Sequence, residues 1–102
     1  MSAPDAAATQ ASVATELERV ARRWQQLPLD DALAASGGVH ALVQDLANHV
    51  AVADRLPLEP VPDLGPAVLI DQLRVMAFDY ERAGLDPALL AAHLATLRRS
   101  IC

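Results

Sequence analysis

The segment PLEPVPDLGP, residues 57–66, places four prolines in ten positions. Proline has no amide N–H and its ring clashes with the preceding helical turn, so no helix runs through this stretch. It predicts an extended, polyproline-like connector that crosses between bundle ends, with Val61 and Leu64 placed to pin it to the body. A ligand role for these prolines is disfavoured, because they lie between two core-forming stretches and rigidity explains them more simply.

On either side of the connector the pattern is helical. Alanine and leucine, 21 and 16 of 102 residues, head the helix-propensity scale, whereas there is one Trp, one Phe and one Tyr. Val13, Leu17, Val20, Trp24 and Leu27 recur at alternating spacings of four and three. That is the seam of an amphipathic helix, capped by Thr9 or Ser12 and stopped near Gln26 by Pro28. Val39, Leu42, Val43, Leu46, Val50 and Ala53 make the stripe of another helix, ending near Leu56. Gly65 or Asp63 caps a third over 66–83, with Pro66 at its first position and Gly84 closing it. Asp86 and Pro87 start a fourth, where Leu85 can staple to Leu90 and the seam continues through Leu94, Leu97 and Ile101.

The sequence therefore predicts an all-α, four-helix bundle-like single domain over residues 9–102, after a flexible segment 1–8. Gly37-Gly38 would cost a continuous helix about 1 kcal/mol each. A short extra helix over 31–36, capped by Asp30 or Asp31, is expected to stop there. The competing arrangement is one long helix, with the glycines where another backbone comes close.

Charge removes several function classes. The chain carries -5, with eight arginines and no lysine. Arg22-Arg23 and Arg98-Arg99 are too small a basic footprint to neutralise phosphates on an acidic whole. Arg98 and Arg99 suit the C-terminal end of a helix dipole, and Glu18 and Arg22 are spaced for an i,i+4 pair. A helical transcription regulator is a third-ranked reading, since the would-be recognition helix LLAAHLATLRR is apolar where base-reading residues are needed. No stretch approaches the roughly 18 apolar residues of a membrane span, and no secretory leader is visible. A cytoplasmic protein without membrane contact is expected. Cys102, the single cysteine, can form no internal disulfide and reads as an incidental thiol.

Reaction chemistry is thin. Asp45 and His49 share a helical face, but His40 lies well round the same helix and no HExxH or ExxH pattern supplies further ligands. No glycine-rich phosphate loop or nucleophile elbow is present. Neither a metal nor a cofactor is expected, and no residue is assigned a catalytic role. An alternative reading, a small-molecule-binding protein or minor enzyme, would use an apolar cleft near His49, Tyr80 and His93.

The strongest functional signal is that the helix over 66–83 has two apolar faces. At 100° per residue Leu69, Ile70, Leu73, Met76, Ala77 and Tyr80 form a core face. Val68, Val75 and Phe78 form a second, among Asp71, Arg74 and Arg82. An apolar patch rimmed by opposite charges is the pattern of a protein interface. The expectation is a non-enzymatic interaction module (adaptor, regulator or accessory subunit) that forms a homodimer through this helix. Asp71 of one subunit would then meet Arg74 or Arg82 of the other.

Overall fold

The computed structural model describes residues 6–101, and side chains from residue 12 onward. Residues 1–5 of the segment expected to be flexible, and Cys102, lie outside the described residues. The chain forms four helices, α1 (Ala6–Gln26), α2 (Leu29–Ala53), α3 (Pro66–Arg82) and α4 (Pro87–Ser100). It is an all-α four-helix bundle, in which α1 packs chiefly on α4 and α2 on α3. The Cα trace is 16 Å thick, which matches two helix layers about 8–10 Å apart.

The buried side chains follow the apolar periodicity. Val13, Val20 and Trp24 of α1, Val39, Val43 and Leu46 of α2, Leu69, Leu73 and Ala77 of α3, and Leu90, Leu94 and Leu97 of α4 form one cluster. The Trp24 indole N–H, which needs a partner when its ring is buried, donates to the Pro66 carbonyl at 3.2 Å. This fixes the last turn of α1 against the start of α3. Glu18, earlier in α1, meets Arg74, later in α3, so these two helices run antiparallel.

Helices α2 and α3 run in the same direction. His40 touches the connector at Val61, just before α3, while His49 lies against Tyr80 near the end of α3. Parallel neighbours require a long return. The connector supplies it, since an extended polyproline-like chain covers about 3.1 Å per residue against 1.5 Å for a helix.

Each break has a local cause. At the end of α2, Leu56 N–H bonds to Ala51 O and Arg55 N–H to Val52 O, with Arg55 at φ 58°. At the end of α3, Leu85 N–H bonds to Tyr80 O and Gly84 N–H to Glu81 O, with Gly84 at φ 78°. Both are Schellman closures, and only the second has glycine at the left-handed position. Helix α3 starts at Gly65, whose N–H is held by Asp63 Oδ1. Helix α4 starts at Asp86, whose carboxylate accepts from the Ala88 N–H.

Several local expectations are corrected. Thr9 and Ser12 lie inside α1, past its first turn. Helix α2 ends at Ala53, three residues before Leu56. It begins after Pro28, and Asp30 and Asp31 sit in its first turn without serving as caps. Most importantly, no separate helix 31–36 exists, because α2 runs unbroken through Gly37-Gly38. The burial of Ala32, Val39, Val43 and Leu46 on its inner face outweighs a glycine penalty of about 1 kcal/mol each. The competing explanation of close backbone approach does not apply either, since a Cβ added at Gly37 or Gly38 would meet nothing within 4 Å. The glycines are helical positions with free space around them. Gly37→Ala and Gly38→Ala should therefore each raise stability by about 0.5–1 kcal/mol, read as a higher urea midpoint with an unchanged slope.

Candidate docking groove

Along the crossover lies an open groove of about 710 Å³. One wall is the second half of α2, with Val43, Ala47 and Val50. The connector supplies Leu56, Val61 and Leu64, and α3 supplies Val68, Val75 and Met76. The volume lies in the range of specific binding pockets, and the lining is predominantly apolar.

The connector is held in place by side chains that satisfy its backbone. Gln44 brackets it, accepting from Val61 N–H at 2.8 Å and donating to Glu59 O at 3.0 Å. His40 Nε2 donates to Val61 O at 3.1 Å, and Gln72 Nε2 donates to Pro62 O at 3.1 Å. An extended chain has no internal hydrogen bonds, so these amide and imidazole contacts take the place of a β-ladder. The Gln72 carbonyl oxygen is buried without a partner at the same junction.

Of the residues expected to form an interface, Val68, Asp71 and Val75 line the groove. Val75 is 53% exposed and Phe78, outside the groove lining, 66%. Leu56 and Leu64 on the connector are 60% and 61% exposed, so the uncovered apolar surface extends beyond the second face of α3. Sequence periodicity on a single helix could not reveal these connector residues. The two cations are engaged within the chain. Arg74 pairs with Glu18 at 2.7 Å, and Arg82 with Asp79 at 3.3 Å. The i,i+4 pair expected between Glu18 and Arg22 thus gives way to a contact between helices, Glu18 with Arg74.

The histidine and tyrosine candidates are only partly brought together. His49 and Tyr80 meet edge to face with ring centroids 6.4 Å apart. His49 Nδ1 bonds to the backbone carbonyl of Asp45 at 2.7 Å, so the carboxylate does not orient the ring. His93 is exposed on α4 and lines neither the groove nor the depression of about 250 Å³ beside His49. Burial, and then the charge of Asp86, push the Tyr80 phenol up from its ordinary value, away from proton-transfer range near neutrality. Among the described residues no three His, Cys, Asp or Glu side chains gather as metal ligands. No helix there is long and apolar enough to cross a membrane.

Ion pairs tie α1 to α4 and to α3. Arg98 donates to Glu16 at 2.8 Å and Arg19 bonds the same carboxylate at 3.1 Å. The Arg98 hydrogen bond, with the charges of Arg98 and Arg19, outweighs desolvation and holds Glu16 below the usual carboxylate range. Arg74 does the same for Glu18, first through its hydrogen bond and then through its charge. Folded values below unfolded ones mean that both carboxylates stabilise the fold fully above the ordinary glutamate range. That contribution fades as pH falls through the lowered folded values. An NMR titration should show Glu16 and Glu18 protonating below ordinary glutamates, with Arg98→Met returning Glu16 upward. For the connector, Gln44→Ala should speed hydrogen exchange of the Val61 amide by about tenfold or more.

Comparison with protein-family models, curated proteins and solved structures returned no match to this chain, which leaves the groove's own chemistry to carry the functional reading.

Proposed function

We propose that this protein is a non-enzymatic interaction module, an adaptor, regulator or accessory subunit, whose docking surface is the groove with the adjoining outer face of α3. The observation that carries this reading is the continuity of exposed apolar side chains from Leu56 and Leu64 on the connector to Val75 and Phe78 on α3, around an open groove. Burial of such surface on association is favourable by roughly 25 cal/mol per Å², which makes a contiguous apolar patch a binding surface. The carboxylates on its rim add orientation.

A homotypic form of the same reading has two copies meeting through α3. Exposed Val75 and Phe78 support it as an apolar centre. The intrachain pairs of Arg74 and Arg82 remove the cations that would have set its register.

A photo-crosslinking side chain at position 75 or 78 should give covalent adducts in cells that express the protein, and one at Gln25, exposed on α1, should give none. A homotypic adduct has twice the 10.8 kDa mass of the chain. Equal labelling from Gln25 and from α3, or none from α3, would overturn the reading.

A further inference from the structure

The charge around the groove selects among partners. Its walls carry Glu59, Asp71 and Asp79 and no basic side chain. Asp79 is paired with Arg82, whereas Glu59 and Asp71 are exposed and make no ion pair among the described residues. An apolar floor beside two unpaired carboxylates is complementary to an apolar segment flanked by cations.

The backbone around the groove selects the form of that segment. Pro57, Pro60 and Pro62 have no N–H to offer. The Val61 N–H and the carbonyls of Glu59, Val61 and Pro62 are held by Gln44, His40 and Gln72. The connector therefore offers an extended peptide no continuous strand edge on which to place its backbone groups. A helix satisfies those groups internally and presents only side chains.

We infer that the groove takes an amphipathic helix of a partner protein, apolar along one stripe and flanked by Arg or Lys. Leu64, Val75 and Met76 receive its apolar residues, and Asp71 and Glu59 receive its cations. The inference rests on the interaction-module reading and names the partner's chemistry. A second copy fits less well, because it brings the same acidic groove, and the arginines of its α3 are already engaged.

The test titrates the whole protein into fluorescently labelled Leu/Lys, Leu/Glu and Leu/Ser peptides of about five helical turns, read by anisotropy. The Leu/Lys peptide should bind at least about tenfold more tightly than the Leu/Glu peptide at low salt, with the ratio shrinking at about 0.5 M salt. Asp71→Lys should weaken Leu/Lys binding by about tenfold. Val75→Asp should weaken it by a similar factor although it adds negative charge, which separates docking in the groove from diffuse attraction to an acidic chain. Both positions are exposed, and circular dichroism checks that each variant keeps its helices.

Equal or tighter binding of the Leu/Glu peptide overturns the assignment of charge and leaves the module reading standing. Leu/Lys binding that survives Val75→Asp overturns the assignment of site. Doubling of mass in light scattering, lost in Val75→Asp and unaffected by peptide, replaces the partner helix with a second copy. A monomer that binds none of the peptides overturns the inference, and the absence of crosslinks from α3 would separately overturn the module reading.

Discussion

The side-chain amide of Gln44 is the point on which the arrangement of α2 and α3 depends. Two neighbouring helices that run in the same direction need a return segment that spans their length, and this one is stiffened by prolines. Such a segment has no hydrogen bonds of its own, so its orientation is set by whatever side chains meet it. Gln44 takes both an N–H and a carbonyl, while His40 and Gln72 take one carbonyl each. The rest of the connector stands off the seam between α2 and α3, leaving the concavity between them. The device that makes the topology workable therefore also produces the groove.

Helix α3 divides its charges according to its two faces. Its core side is closed by Leu69, Leu73 and Ala77. On the outer side Arg74 is drawn to Glu18 of α1, and Arg82 folds back on Asp79. Exposed pairs of this kind contribute little to stability, because water and salt screen them. Their larger effect is on the surface left over, where Asp71 remains as an anion beside Val68 and Val75.

Local physics made much of this legible in the sequence. The seams of α1 and α4, the Gly65-Pro66 start, the Gly84 stop and the Asp86 cap are consequences of residues within a turn or two of each other. The same is true of the two-sided pattern of α3, three of whose outer residues line the groove. What escaped depended on tertiary context. Gly37-Gly38 signals a break only where nothing compensates, and here the inner face of α2 compensates. Glu18 has an attractive neighbour in Arg22, and only the folded structure offers it Arg74 instead. The groove draws its walls from three segments, so no single periodicity could announce the part played by Leu56 and Leu64.

The pairing of α1 with α4 has a consequence for how the chain reaches its fold. These helices are joined through Glu16 and Arg98, 82 residues apart, and each packs chiefly on the other instead of on its neighbour in sequence. A helical protein with such distant pairings folds more slowly than one built from local hairpins. Closing the pair carries the loop-closure entropy of the whole chain between them. The same contact should make melting cooperative, since loosening either helix bares the apolar seam of the other.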